Sequence, residues 1–340
     1  MKVFQRFNYK MNNLHNLHHQ HPQSSQKIDI LSKFIVNHYN KLRKESNNTN
    51  DPLVVGLSGA QGCGKTTIVK QIVQYLKSAK NLSVVNFSMD DLYLTYEDQC
   101  QLANQNPGNQ LLEFRGAPGT HDVLLGRQIL QELRDVQQKY SERLHERLRE
   151  RDNVKSNNVS ILIPFYDKSL RNGRGDRAPI EEWIRVSPPF DIILFDGWSL
   201  GFKHLPSSEL QEAYDRASSS LKTLKSHSFS HIKIINEHLK RYEENWYPFL
   251  DIFIHVEAEN INYVYQWRLE QEHSMKQRGK SGMSDEQVKD FVNKFMPAYE
   301  LYLERLSKEN FFSKGDKGIY GSHLKLVMNR EREIIKETLI

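Results

Sequence analysis

Cysteine is almost missing from this 340-residue chain, which has only Cys63 and Cys100. Two thiols cannot build a disulfide framework, so the fold must rest on a packed core, and the usage suits a reducing compartment. Long apolar runs are missing too. None approaches the roughly 20 residues that span a bilayer, so no membrane role is expected. Charge of one sign is also scarce: 47 Lys and Arg face 42 Asp and Glu, for a formal net charge of +5. The signs are interspersed and no basic stripe carries aromatics, which argues against a nucleic-acid partner and leaves small anions to explain local basic clusters. An Asn-Lys-x-Asp guanine signature is lacking, because Asn293-Lys294 continues into Phe295-Met296 within a helical pattern; this disfavours a GTPase. The first 26 residues contain no acid and are rich in Asn, Gln and His. Such a segment buries too little to fold, so residues 1–26 are expected to form a disordered tail. Arginine is scarce there, which makes a mitochondrial presequence the minority alternative to a cytoplasmic, or also nuclear, location.

Against these absences stands one pattern. Gly59-Ala60-Gln61-Gly62-Cys63-Gly64-Lys65-Thr66 matches G-x-x-x-x-G-K-[ST]. It follows the apolar run Leu53–Ser58 and precedes Ile68, Val69, Ile72, Val73 and Leu76 at helical spacing, so it has the strand and helix that a P-loop needs. The glycines let successive N–H groups turn around a phosphate, Lys65 reaches the β- and γ-phosphates of ATP, and the Thr66 hydroxyl ligates Mg²⁺; Thr67 completes the expected ATP-binding set. The helix N-terminal field predicts a lowered pKa and a reactive thiol at Cys63.

Hydrophobic content of 38% suffices for one large α/β domain with additions. Apolar spacing predicts a helix over 28–42, followed by a polar linker, so residues 27–52 form an N-terminal helix and linker and 53–340 a P-loop domain. Strands are expected at 53–58, 82–87, 160–163, 191–195, 251–256 and 323–328, with helical stretches between them. That alternation specifies a doubly wound parallel sheet, the P-loop NTPase kinase fold with a helical lid and insertions. One long helix is expected over 121–152 with Thr120 as N-cap. Residues 260–306 read as two helices broken by a cationic hinge, Arg278 to Gly282, suited to a lid.

Ligands collect at the carboxyl ends of strands in such sheets. Asp90-Asp91 follows the second strand, where a carboxylate can face the γ-phosphate and take a proton from a hydroxyl. Asp196-Gly197-Trp198 ends a later apolar strand, as a Walker B acid that orients Mg²⁺ does. Each is also what a turn or helix cap uses. Two loops are dense in cations: Arg115 opens one, and Lys168, Arg171, Arg174 and Arg177 crowd the other between glycines. Arg grips a carboxylate or phosphate through two parallel hydrogen bonds. His121 reads as a structural histidine.

Taken together, Gly59 to Thr66, Met89-Asp90-Asp91-Leu92-Tyr93-Leu94-Thr95, Arg115 to Asp122, Tyr166-Asp167-Lys168-Ser169, Gly175-Asp176-Arg177, Gly197-Trp198 with Gly201-Phe202, and Gly279 to Asp285 resemble the plant-type D-glycerate 3-kinases and their fungal ATP-binding relatives. These belong to a P-loop kinase group with uridine kinase, phosphoribulokinase and pantothenate kinase. The resemblance begins near Leu53. It implies Asp90 as general base, and a lid formed by the helix of Trp267-Arg268 with the Gly279–Asp285 hinge, Arg268 facing the phosphates. Relatives more often carry Glu at Asp196 and Phe at Leu92. The shorter Asp196 implies contact with Mg²⁺ through water.

The expected function is an ATP- and Mg²⁺-dependent kinase that phosphorylates a hydroxyl of a small anion, D-glycerate by resemblance. Lys65, Asp90 and Arg268 are its catalytic set, Arg115, Lys168, Arg174 and Arg177 its acceptor clamp, and Thr66 and Asp196 its metal ligands. The competing class is an ATP-binding regulatory or catalytically idle protein that organises a partner. Oligomeric state has no signature.

Overall fold

Every residue of the first strand, β1 (Leu53–Gly59), is buried, and so is every residue of β7 (Ile192–Gly197). Strands buried along their whole length are covered on both faces, which is why they read as continuous apolar runs rather than alternating ones. The computed structural model describes residues 22–45, 51–150, 159–217, 222–279, 282–312 and 321–340. In it β1 pairs in parallel with β7 on one side and with β8 (Ile252–Ala258) on the other. Outside β7 lies β2 (Val84–Ser88), parallel; outside β8 lies β9 (His323–Met328), also parallel. The last strand, β10 (Ile334–Leu339), runs antiparallel to β9 and closes that edge.

The chain leaves β1 toward β2 and later returns to place β7 between them, with β8 on the far side. Strand order therefore reverses around β1, and the crevice beyond its carboxyl end is where this topology puts a ligand. The helices are α1 (Pro22–Glu45), α2 (Lys65–Lys80), α3 (Tyr96–Gln105), α4 (Val123–Glu150), α5 (Ser207–Arg216), α6 (Lys222–Lys225), α7 (Phe229–Asn245), α8 (Tyr263–Gln277), α9 (Asp285–Asn293) and α10 (Met296–Lys308). No helix among the described residues is long and apolar enough to cross a membrane.

The amino edge of the sheet is held by two aspartates. Asp191, just before β7, accepts the Ser83 N–H at 2.8 Å and the Tyr39 hydroxyl at 2.5 Å, and pairs with Arg43 at 3.3 Å. Asp251, just before β8, accepts the Val54 N–H at 2.8 Å and pairs with Arg134 at 3.5 Å. Tyr39 and Arg43 lie on α1, whose Leu31 and Ile35 are fully buried, so this helix is docked by both apolar and charged contacts.

Several boundaries differ from the sequence reading. α1 starts at Pro22, inside the segment expected to be a tail; residues 1–21 and 46–50, most of the linker, lie outside the described residues. The strand near 160 is not part of the main sheet: β3 (Ile161–Ile163) pairs antiparallel with β6 (Ile184–Val186), and β4 (Tyr166–Asp167) with β5 (Asp176–Arg177). Three apolar residues suffice for either setting, and nothing local distinguishes them. α4 begins at Val123 because Asp122, not Thr120, caps it: the Asp122 side chain accepts the Leu125 N–H at 3.0 Å. The Thr120 hydroxyl instead accepts from Gly116 N–H and donates to Ala117. The region over 260–306 holds three helices rather than two, since α9 ends at Asn293 with Lys294 as its cap and α10 starts with Pro297 in its first turn. Of the expected hinge, Lys280 and Ser281 lie outside the described residues.

Asp191→Ala strands the Ser83 N–H and the Arg43 guanidinium together. The expected loss of unfolding free energy is about 2–4 kcal/mol by urea denaturation. A loss below about 0.5 kcal/mol, the scale of an ordinary surface change, would show that α1 docks without this anchor.

Candidate active site

Between β1 and α2 the loop passes through Gly62 and Gly64, both with left-handed φ, +78° and +90°. Gly62 has a second reason to be glycine, because a Cβ there would lie 2.6 Å from the Trp267 Cβ. The backbone N–H groups of Gly62, Gly64 and Thr66 have no protein acceptor among the described residues, while that of Lys65 meets the Cys63 sulfur. These free amides converge at the helix N-terminus, which is the arrangement that binds a phosphate. The neighbouring amides are taken: Gln61 N–H donates to the Tyr299 hydroxyl at 3.1 Å and Cys63 N–H to Ala60 at 3.2 Å. The Arg332 Nε donates to the Gly62 carbonyl at 2.8 Å while its guanidinium covers Trp267 and pairs with Glu270. Arg332, Trp267 and Tyr299, distant in sequence, thus brace the loop. Nothing near them in the sequence signals it.

Cys63 overturns an expectation. Its side chain is buried, and burial pushes the thiol pKa up, with Lys65 only partly opposing. Loss of hydration outweighs the helix field.

Beyond β2 the chain enters a short 3₁₀ turn, Met89–Leu92, capped by Ser88 and Asp91 in a reciprocal box: Ser88 N–H donates to Asp91 at 3.2 Å. Gly197 lets this turn close on β7, since a Cβ there would meet the Met89 sulfur at 2.1 Å. The turn brings Asp90 and Asp91 near Asp196, which is aligned with Ser88 across the parallel ladder. The Ser88 hydroxyl lies 3.4 Å from the Asp196 carboxylate. Burial raises the Asp196 pKa to about 7; Lys65 opposes this, and Asp90 and Asp91 add to it. Burial likewise raises Asp91 to about 6, with Asp90 adding. Burial works against the Asp90 charge as well, but Lys168 and Lys65 outweigh it and hold this carboxyl below its usual range. Asp90 keeps 37% of its side-chain surface and forms a 2.5 Å ion pair with Lys168.

The cationic loops serve different ends. Arg177 is spoken for, bonding Asp122 at 3.0 Å and the Tyr93 carbonyl at 3.1 Å. Arg171 pairs with Asp176, which also accepts the Tyr96 N–H. Arg115 donates to the Gly173 and Arg174 carbonyls and lies over the Tyr166 ring, fastening one loop to the other. Arg174 is exposed and stacks on Phe114 at 5.0 Å. Lys168 is therefore the loop cation in contact with the carboxylate group at the strand ends. Arg268 pairs with buried Glu272 on its own helix and lies over Phe291, while Glu272 also accepts the Met283 N–H. It makes no hydrogen bond or ion pair with the phosphate loop or with Asp90 in this structure.

Among the described residues no cluster of three or more His, Cys, Asp or Glu could hold a metal alone. The oxygen donors present, Thr66 and Asp196 with Ser88 close by, suit a hard cation that takes its remaining ligands from phosphate and water, as Mg²⁺ does. The two raised carboxyl pKa values fit the same group, because a divalent cation stabilises the charged forms that burial disfavours.

A parallel sheet switching direction at a phosphate loop, with an acid at each neighbouring strand end, defines a P-loop kinase fold. A model of the KAP family P-loop domain matches residues 31–109, the part around the loop. The chloroplastic D-glycerate 3-kinase of Arabidopsis thaliana is 38% identical over 258 residues, 76% of this chain and 49% of that protein. The uncharacterized kinase mug58 of Schizosaccharomyces pombe is 38% identical over 79% of this chain and 87% of its own length. The solved D-glycerate 3-kinase of Cryptococcus neoformans superposes with a TM-score of 0.79 at 33% identity, over 92% of this chain and 99% of that one. The chain belongs to this family of D-glycerate 3-kinases and fungal ATP-dependent kinases. It spans about half the length of the plant relative.

Two outcomes follow from the site. A maleimide should label Cys100 in the native protein and leave Cys63 untouched with or without ATP; rapid native labelling of Cys63 would contradict its burial. Asp196 has a folded pKa above its unfolded one, so its contribution favours the fold at low pH and is lost as pH rises from about 4 to about 7. Asp196→Asn should therefore gain stability over the parent across that window, by a few kcal/mol at pH 8 in ligand-free protein. Parallel stability curves for the two proteins would contradict the shift.

Proposed function

We propose that the protein is an ATP-dependent kinase that transfers the γ-phosphoryl group to a hydroxyl of a small anionic acceptor, with D-glycerate as the first to test. The observation that carries this is Asp90, which feels the phosphate-loop Lys65 on one side and pairs with Lys168 on the other. A protein that only binds ATP has no need for a half-exposed carboxylate between the phosphate cradle and a basic loop. Two relatives, one plant and one fungal, are named D-glycerate 3-kinase, which supports the choice of acceptor.

In this reading the Gly62, Gly64 and Thr66 amides hold the phosphates of ATP and the Lys65 ammonium lies against the β- and γ-phosphates. Thr66 and Asp196 would hold Mg²⁺, which when bound neutralises charge on the transferring group. The acceptor hydroxyl oxygen attacks the γ-phosphorus, the bond to the bridging oxygen of ADP breaks, and the hydroxyl proton passes to Asp90. Lys168 couples binding to this step. An acceptor carboxylate that draws Lys168 away removes the ion pair that depresses the Asp90 pKa, making Asp90 a better proton acceptor as the substrate arrives. Arg115 and Arg174 complete the anion-binding rim, and Arg177 supports the loop through Asp122. Arg268 is assigned to the transferring phosphoryl group after release from Glu272. The scarcity of cysteine supports a cytoplasmic or nuclear setting.

Asp90→Asn should lower kcat by about 10²–10⁴-fold with Mg·ATP affinity nearly unchanged. Asp91→Asn should cost stability through the lost cap and less in rate. Lys65→Ala should abolish ATP binding by calorimetry. Near-parental turnover in Asp90→Asn, measured as acceptor-dependent ADP release, would move the base elsewhere. If no acceptor stimulates ADP release while ATP still binds, the regulatory reading takes its place.

A further inference from the structure

Arg332 sits in the turn that joins β9 to β10, in a conformation uncommon for its type. Its φ is +65°, in the left-handed region that residues other than glycine and asparagine enter at a cost. The turn is tightly closed. Arg332 N–H donates to the Asn329 carbonyl at 3.0 Å, and the Asn329 side chain accepts the Glu333 N–H at 2.8 Å. Two helices reach in to hold it. Trp267 on α8 donates its indole N–H to the Arg330 carbonyl at 2.6 Å, and Lys27 on α1 donates to the Arg332 carbonyl at 2.5 Å. Residues held in such conformations by their surroundings cluster at functional sites.

The Arg332 side chain ends at the phosphate loop. Its Nε donates to the Gly62 carbonyl at 2.8 Å, while a terminal nitrogen pairs with Glu270 at 2.8 Å and the guanidinium covers the Trp267 ring. At the other end of the same peptide bond, Cys63 N–H donates to the Ala60 carbonyl. The Gly62–Cys63 peptide is thus gripped at both ends, in the loop whose Gly62, Gly64 and Thr66 amides are free. The grip matters because glycine sets little steric limit on turning that peptide over. Released, the carbonyl can swing to the side of those amides, where its negative end repels the phosphate they bind.

We propose that Arg332 is a nucleotide-positioning residue whose Nε–H holds the Gly62 carbonyl out of the phosphate cradle. A turn 270 residues further along the chain thereby sets the affinity of the loop for ATP. The assignment rests on ATP binding at this loop, not on the identity of the acceptor. It also differs from simple charge attraction, since Nε is the atom that reaches the loop and Glu270 matches the charge.

The test is calorimetry of the full chain with Mg·ATP and with inorganic tripolyphosphate, alongside thermal melts. Arg332→Met keeps the cover on Trp267 and removes the donor. It should weaken both ligands by the same factor, about five- to tenfold, with Tm within about 3 °C of the parent. Arg332→Gln places an amide N–H at the Nε position without the charge, and should bind both ligands within about twofold of the parent. Arg332→Lys keeps the charge but carries its nitrogen one atom farther out, and should bind more weakly than Arg332→Gln. Should Arg332→Met fail to fold, that order decides the matter: Gln above Lys supports the assignment, and Lys at parental affinity with Gln weakened reduces Arg332 to a charge and overturns it. Loss of ATP without loss of tripolyphosphate in Arg332→Met would make Arg332 a nucleoside contact, and unchanged affinities with a lowered Tm would make it purely structural; either result overturns the assignment. A parent that binds neither ligand removes the ATP reading together with it. A parent that binds both, beside an unaffected Arg332→Met, removes the assignment alone.

Discussion

Three carboxylates, Asp90, Asp91 and Asp196, are gathered at the carboxyl edge of the sheet within the field of the phosphate loop and its basic neighbours, and their burial, with repulsion adding to it at Asp91 and Asp196, governs the chemistry of that edge. The cluster exists because two parallel strands end side by side, Ser88 opposite Asp196, and because Gly197 lets the 3₁₀ turn press onto β7. Left alone, such a group lowers its charge by holding protons, and two of its members do so with pKa values near 6 and 7. The third, Asp90, stays ionised because Lys168 reaches in from a separate loop. The environment thus gives three chemically identical side chains three different proton affinities, which the proposed function reads as a cap, a metal-side acid and a base. That is how a site assigns acid and base roles to like residues.

The same strand carries both the anchor and the chemistry. β7 is preceded by Asp191, which fixes α1 and the Ser83 amide at one edge, and contains Asp196 at the other. A one-residue slip of β7 would turn Asp196 to the opposite face of the sheet, away from Ser88. Stability at one edge and acid placement at the other therefore share one structural cause.

Much of this was legible in the sequence, for physical reasons that differ by element. The phosphate loop was, because its glycines, lysine and flanking periodicities are all local. The carboxylates were, because strand ends are marked by apolar runs that stop. Tertiary settings were not: β3 has the same apolar residues as a sheet strand but pairs with β6 instead, and β10, with three consecutive polar residues Lys336-Glu337-Thr338, gave no sign of joining an otherwise parallel sheet. Asp122 and Thr120 are both good caps, and only the backbone path decides between them. Cys63 was misjudged because a helix field is visible in sequence and burial is not. The partners of the cations were hidden as well. Four basic residues in one loop look alike in sequence, yet Arg171 and Arg177 are matched by Asp176 and Asp122 while Lys168 faces Asp90.

The central claim is that this edge moves a phosphoryl group rather than merely holding a nucleotide. It is tested most directly by phosphorus NMR of the full chain with Mg·ATP and D-glycerate. The account predicts a growing phosphomonoester resonance matched mole for mole by ADP, and its loss in Asp90→Asn under conditions where ATP remains bound. ADP accumulating with only inorganic phosphate beside it, or equal product in the parent and Asp90→Asn, would contradict it.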